Sequence, residues 1–320
     1  MSSQINITHL TSVHPRSDIR IFIKQCNSLL RAGYIVSLIV ADGLDNEIKN
    51  SINIIDVGTQ RGRLKRMILT TKDVLKKAVE LDSDVYHFHD PELIPVGLTL
   101  KKKGKKVIYD VHEDVPRQIM GKPYLNRLIK PVISKIIEKY ENYAAKKFDF
   151  IITATPHIRD RFLKINKNTI DINNFPVIDE LKNEIIWDNK ESKVCYIGGI
   201  TKIRGIKEIV EAMSLVSNNV SLNLGGDFSE KDIENEVKKS QGWEKVNELG
   251  YLNRARVKEV LSKSKAGLVT FLPADNHIDA QPNKMFEYMI SGVPVIASNF
   301  HLWKEIIEGN GQTGECDYCG

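Results

Sequence analysis

Short apolar runs of strand length alternate with amphipathic helical stretches along the whole chain. This alternation limits the possible folds more than any other feature. Residues 5–10, 35–40, 52–57, 84–89, 106–111, 148–154 and 169–174 read as strands. Between them, 18–32, 64–81, 92–103, 125–147 and a short stretch from Pro156 read as helices, with Gly33 and Gly104 as stops and Pro91 and Pro156 as starts. Strands separated by helices imply βαβ units and a parallel sheet. The pattern then repeats. Strands are expected at 193–197, 220–224, 245–249, 267–271 and 294–297, with helices at 205–216, 254–263, 282–290 and 302–308. The polar stretch 174–193, which contains Pro176, reads as a linker. At 320 residues the chain exceeds the roughly 250–300 at which single cores stop growing. Two Rossmann-like, doubly wound α/β domains are therefore expected, 1–180 and 181–320, with ligands in a cleft at the carboxyl ends of the strands.

Composition narrows the setting. The chain is 42% hydrophobic and 27% charged, a balance that supports a packed core and excludes a mainly disordered chain. Its longest apolar runs are too short to span a bilayer. The N-terminus lacks the order of a secretory signal. Four cysteines are too few for a disulfide framework, and Cys316 and Cys319 form a lone C-x-x-C that reads as two ordinary thiols. A soluble cytoplasmic protein is expected. The net charge of +5 hides an asymmetry: residues 1–167 hold 29 Lys and Arg against 18 Asp and Glu, and the rest is acidic. A basic half can face nucleic acid or an anionic membrane, or be solvated lysine alone. Lys101, Lys102, Lys103, Lys105 and Lys106 contribute, as does the stretch 123–147. There Arg127, Lys130, Lys135, Lys139, Lys146 and Lys147 are interleaved with apolar residues, a pattern suited to a membrane surface.

Glycines at strand ends let the backbone approach a ligand closely. A helix N-terminus beside them offers N–H groups and a positive dipole to phosphate. Gly198-Gly199, Gly226-Asp227, Arg204 and the helix opening at Pro282-Asn283-Lys284 suit a diphosphate, although plain turns use the same glycines. Arg204 and Lys284 would neutralise its charge. Asp279 and Glu287 could accept hydrogen bonds from sugar hydroxyls, or be surface charges. In the first half, His87, His89, Asp90 and Glu92 end one strand, and Asp110, His112, Glu113 and Asp114 end the next. A sugar-binding wall and a metal site both fit this pile-up, but H-x-H-D is not a specific zinc spacing and no metal is expected. Asp82-Ser83-Asp84 precedes its strand, unlike a manganese-binding D-x-D. No P-loop, G-x-G-x-x-G or hydrolase motif occurs.

The block Gln281-Pro282-Asn283-Lys284-Met285-Phe286-Glu287-Tyr288-Met289, followed by Gly292-Val293-Pro294-Val295-Ile296-Ala297, resembles the donor site of glycosyltransferase family 4, a retaining family of GT-B fold. His14-Pro15-Arg16-Ser17-Asp18-Ile19-Arg20, His87-Phe88-His89-Asp90-Pro91-Glu92-Leu93 and Asp110-Val111-His112-Glu113 resemble a bacterial branch rich in O-antigen and polysaccharide enzymes. The likeness spans nearly the whole chain. It implies an N-terminal acceptor domain and a C-terminal donor domain. It implies retaining transfer of a sugar, with GalNAc or GlcNAc as the first guess, from a UDP-sugar to a polyprenyl-diphosphate-linked intermediate. It further implies no metal cofactor, no nucleic-acid partner, and peripheral attachment to the inner face of the cell membrane.

Residue by residue, the resemblance gives Glu287 the ribose hydroxyls. Asp279 stands where a Glu touching the donor sugar is usual, and Arg204 where a phosphate-binding Lys is usual. Gly199 replaces a common Arg. Gly198, Gly226, Asp227, Asn283, Lys284 and Glu305 complete the donor set. His112 matches a His beneath the reacting sugar, with Asp18, Arg20, His89, Asp90, Glu92 and Glu113 beside it on the acceptor side. His112, Asp279 and Arg204 are thus the expected catalytic residues. Family members usually run further past the last motif, so the C-terminus reads as truncated. A weakly active nucleotide-sugar-binding scaffold and a GT-B-like epimerase remain as alternatives.

Overall fold

The structure is a computed structural model that describes residues 4–60, 62, 65–121, 126–177, 181, 186–274, 277–278 and 280–309. The chain divides into two compact units, Met1–Asn174 and Phe175–Gly320. In the first, eight strands form one sheet: β1 (Asn6–Leu10), β2 (Ile35–Val40), β3 (Glu47–Lys49), β4 (Ile52–Asp56), β5 (Val85–Phe88), β6 (Lys106–Val111), β7 (Phe150–Thr153) and β8 (Thr169–Asp171). Their order is β3-β4-β2-β1-β5-β6-β7-β8. β1 pairs in parallel with both β2 and β5, so the winding reverses there. Alternate residues of each strand face opposite sides. Leu10, Ile39, Phe88 and Tyr109 enter one apolar core, while Leu38 and Val40 join Ile21 and Phe22 on the other face.

Helices cover both faces. A segment wound wider than an α-helix, Ile19–Cys26, leads into α1 (Asn27–Arg31). Its first turn is capped by Asp18, whose carboxylate accepts a hydrogen bond from Ile21 N at 2.8 Å. Then follow α2 (Thr71–Leu81), α3 (Ile94–Lys102), α4 (Val115–Gly121), α5 (Lys130–Ala145) and α6 (Pro156–Leu163).

The second unit is built on β9 (Lys193–Ile197), β10 (Ser221–Gly225), β11 (Val246–Gly250), β12 (Ala266–Val269) and β13 (Val295–Ala297), all parallel, in the order β11-β10-β9-β12-β13. Its helices are α7 (Ile206–Leu215), α8 (Lys231–Val237), α9 (Arg254–Lys263), α10 (Asn283–Ile290) and α11 (His301–Gly309). Neighbours on β9 again face opposite cores: Cys195 packs with Tyr288 and Trp303, and Tyr196 with Leu222 and Met213. The reversal falls at β9, between β10 and β12. Both units are thus doubly wound α/β domains, as the alternation predicts. Among the described residues no helix is long and apolar enough to cross a membrane.

Five details differ from the sequence reading. β3 runs antiparallel to β4 at the sheet edge. Its three residues are all exposed, so no apolar pattern announces it. α4 carries a proline, which an early helical position tolerates because its N–H has no intrahelical partner there. α8 buries only Ile233 and Val237, one turn apart, under an otherwise charged surface. The long helix expected over 125–147 begins at Lys130. The expected linker contributes to the second unit: Leu181 is buried in its core, and Lys190 Nζ donates to Ser264 O at 2.8 Å.

Candidate active site

The second unit gathers a cationic site at the carboxyl end of β9. Gly198 follows the strand with φ +130°, a conformation that favours glycine. A side chain at Gly226 would put its Cβ 2.1 Å from Gly198 O, so the glycines after β9 and β10 pack backbone on backbone. Arg204 ends a short 3₁₀ turn, and its Nη1 donates to Gly199 O at 3.0 Å. A Cβ on Gly199 would fall 2.9 Å from that nitrogen. The Arg204 guanidinium lies in the space beside Gly199. Gly205 then takes φ +77° and starts α7.

Lys284, in the first turn of α10, points at the same turn. Its Nζ lies 3.5 Å from the centroid of the Tyr196 ring and 5.4 Å from that of Phe271, and Arg204 stacks on Phe271 at 5.6 Å. Lys284 is 8% exposed, and its Nζ has no hydrogen-bond partner. Burial and the nearby Arg204 hold its pKa well below the ordinary lysine value. A buried lysine nitrogen without a hydrogen-bond partner, set beside Arg204, Tyr196 and Phe271, is a strong candidate to receive an anion. One turn further, Glu287 Oε1 accepts from Arg254 Nη1 at 2.8 Å. Tyr288 Oη accepts from Ile197 N at 3.1 Å and ties α10 to β9.

The remaining donor candidates are scattered. Asn283 is exposed at the start of α10. Asp227 is exposed, and its carbonyl accepts from Ile200 N at 3.0 Å. Glu305 is exposed on α11 and pairs with His301 at 3.2 Å. Asp279 lies outside the described residues. Sequence reasoning missed Arg254, Tyr196 and Phe271, which no motif joins to the glycine turn.

In the first unit the residues expected to form a sugar-facing wall divide into an inner and an outer set. Arg20, His87, His89, Asp90 and Asp110 are buried. Arg20 grips Asp110 through two bonds, Nη2 to Oδ1 at 2.7 Å and Nε to Oδ2 at 3.1 Å, and Gln25 Nε2 donates to Oδ2 at 2.6 Å. Burial pushes the Asp110 carboxyl up, but the imidazoles of His112, His87 and His89 outweigh it and hold its pKa well below the ordinary range. Asp90 Oδ2 accepts from Thr11 Oγ1 and Ser12 N, both at 2.7 Å. His9, which no motif flagged, places Nδ1 2.9 Å from His89 Nε2. Burial lowers the His89 pKa to about 3. These residues act on one another.

The outer set is more accessible. Glu92 Oε1 accepts from Ser12 Oγ at 2.8 Å, and His14 bridges Asp18 at 3.2 Å and Asp90 at 3.4 Å. Burial raises the Asp18 pKa, but hydrogen bonds from His14 and Ile21 N overcome it and hold it at about 2. His112 and Asp18 are half-buried, and Glu113 is exposed. Asp114 is turned instead to Arg161, at 3.2 Å.

The expected basic face also divides. Lys101 and Lys106 pair with Asp149, and Lys105 pairs with Asp82. α5 differs. Ile129, Val132, Ile136, Tyr140 and Tyr143 are exposed at helical spacing, flanked by exposed Lys135, Lys139, Lys146 and Lys147. The opposite side buries Glu141, Ala144 and Ala145.

Two parallel α/β units, the second with glycine turns and a cationic helix start, are the architecture of nucleotide-sugar enzymes. Known proteins agree. The model of Glycosyltransferase Family 4 matches residues 20–172, and that of Glycosyl transferases group 1 matches 177–316. One lies within each unit, and together they make the chain a family-4-like glycosyltransferase of GT-B fold. No curated protein matches it in sequence. Solved structures match in fold. WaaG, a glycosyltransferase involved in lipopolysaccharide biosynthesis, has a TM-score of 0.70 at 13% identity, over 96% of this chain and 84% of that one. Sucrose-phosphate synthase from Thermosynechococcus elongatus has 0.68 at 17%, over 92% and 82%. Anabaena HepE in complex with UDP-glucose has 0.68 at 15%, over 95% and 83%.

Proposed function

We propose that this glycosyltransferase transfers a sugar, an N-acetylhexosamine as first candidate, from a UDP-sugar to a polyprenyl-diphosphate-linked glycan with retention of configuration. The observation that carries the donor reading is Lys284: a buried ammonium without a hydrogen-bond partner, next to Arg204 and facing the Gly198-Gly199 turn. As the glycosidic bond breaks, negative charge builds on the leaving diphosphate. Lys284, Arg204 and the N–H groups opening α10 stabilise that charge where it develops. These cations take the part that a divalent ion plays elsewhere, so turnover needs no added magnesium or manganese. Glu287, oriented by Arg254, accepts from the ribose hydroxyls. His112 and Asp18 serve the acceptor side, and front-side delivery of the acceptor hydroxyl leaves no sugar on the enzyme. Likeness of fold supports this reading: HepE forms a complex with UDP and glucose, and WaaG is involved in lipopolysaccharide biosynthesis.

Replacing Glu287 with Ala removes charge-assisted hydrogen bonds of about 1.5–3 kcal/mol, so the donor KM should rise roughly 10–100-fold, with a smaller change in kcat. Thermal shift with UDP, GDP and UDP-sugars, followed by initial rates, tests this. Unchanged donor kinetics would remove Glu287 from the site. Absence of nucleotide binding by the wild type would overturn the donor reading as a whole.

The α5 stripe supports a membrane-facing role for the first unit, with lysines placed for anionic headgroups. Wild-type protein should float with anionic vesicles and not with neutral ones. Burying a Val or Ile is worth about 1.5 kcal/mol or more, so Val132→Glu with Ile136→Glu should weaken flotation at least about tenfold. Equal binding to both vesicle types would count against an electrostatic attachment.

A further inference from the structure

Three donor atoms in the first unit stand at the separations of one face of a tetrahedral metal site. His89 Nδ1 is 3.2 Å from His112 Nε2 and 3.4 Å from Asp110 Oδ2, and His112 Nε2 is 3.5 Å from that same oxygen. Zinc bonds of about 2.0–2.2 Å to nitrogen and oxygen give tetrahedral edges of about 3.3–3.6 Å. The three groups converge because β5 and β6 are parallel neighbours that deliver them at adjacent strand ends. We propose that His89, Asp110 and His112 bind a divalent transition-metal ion, with Zn2+ as the first candidate.

The surroundings suit such an ion. His89 Nε2 meets His9 Nδ1 at 2.9 Å; with the proton on Nε2, this hydrogen bond would orient the ring and leave the Nδ1 lone pair for the metal. Arg20 and Gln25 hold the carboxylate of Asp110 in place. His87 Nε2 is buried without a hydrogen-bond partner, 3.7 Å from Asp110 Oδ2, and is the nearest group for a fourth position. His112 is the partly exposed member of the triad, which gives an ion a way in. Bound there, the metal would join the ends of β5 and β6 and fix the ring of His112, a positioning role beside the acceptor side. The proposal does not depend on the donor reading.

The test uses the full-length, chelator-stripped protein titrated with Co2+ and then Zn2+. The expected result is one Co2+ per chain with the intense visible absorption of a four-coordinate ion, displaced by Zn2+. His9→Gln, which alters only the outer hydrogen bond, should weaken binding roughly 10–100-fold, and His112→Ala should weaken it further. Circular dichroism confirms that each variant is folded. X-ray absorption on the wild-type Co2+ form gives an answer that no variant can confound: imidazole and oxygen ligands without sulfur. The double variant C316S/C319S should bind as the wild type does. The proposal is overturned if the wild type takes up no metal, leaving only a hydrogen-bonded imidazole network. It is equally overturned if the ligands include sulfur, or if folded His112→Ala binds as well as the wild type.

Discussion

Replacing Lys284 with Met is expected to lower kcat/KM for the donor by about 10²–10³-fold while raising the melting temperature of the free protein. The two effects have one cause. The Nζ is buried and has no hydrogen-bond partner, so in the free protein its charge is held out of water without an anion to offset it. Met keeps the volume of the stem, which packs over Tyr196, and removes the charge. The pH dependence follows from linkage. The folded-state pKa of Lys284 lies well below the ordinary 10.5, because of burial and Arg204. Between those two values the unfolded chain binds the extra proton, so this residue makes stability rise with pH across the window. Below the folded value its penalty is present in full, and above 10.5 it vanishes. Lys284→Met should therefore flatten that slope, with its largest gain in stability below the folded-state pKa of Lys284 and none above 10.5. A diphosphate supplies the missing counter-charge and draws the pKa back up. UDP binding to the wild type should then take up protons, seen by calorimetry in buffers of different ionisation enthalpy. Unchanged kcat/KM, or a lower melting temperature in Lys284→Met, would contradict this account.

The fold was legible because both sheets are parallel and buried, so each strand had to be an apolar run and each crossover a helix. β3 escaped because an exposed edge strand carries no apolar pattern. The donor site was partly legible. Lys284 and Glu287 share one helix, and Arg204 follows a glycine turn, so their neighbourhood can be read along the chain. Arg254 could not be found that way, since it meets Glu287 from another helix 33 residues earlier. At Gly199, where the usual Arg is absent, the Arg204 guanidinium lies against the glycine, a contact that spacing could not supply. The acceptor side was the least legible. Motif residues such as His89 and Asp90 read as surface chemistry because strand ends usually carry it. The structure turns them inward, and their partners His9 and Thr11 come from a segment 80 and 79 residues away. Burial is a property of packing between remote segments, and no local pattern encodes it.

Replacing Arg20 with Met should destabilise the protein by about 3–5 kcal/mol, the other large effect expected. Arg20 and Asp110 have side-chain exposures of 6% and 0% and are joined through two hydrogen bonds. Arg20 Nη1 also donates to Ile172 O at 2.7 Å, so the same guanidinium ties the start of the Ile19–Cys26 segment to the chain beyond β8. Met preserves most of the packing but leaves the carboxylate of Asp110 buried without its cation. Lys restores the charge without the planar fork, so Arg20→Lys should recover only part of the loss. The decisive comparison is the double variant R20M/D110N, measured by denaturant unfolding with a chelator present. If the cost of Arg20→Met is mainly an uncompensated carboxylate, neutralising Asp110 should make the double variant more stable than Arg20→Met alone. If instead Arg20 serves chiefly to hold the acceptor, Arg20→Met should stay within about 0.5 kcal/mol of the wild type and raise the acceptor KM. The burial of both partners supports the first outcome: the guanidinium is spent on an internal carboxylate and a backbone carbonyl, whereas the half-buried Asp18 and His112 and the exposed Glu113 are the ones left within reach of the proposed acceptor.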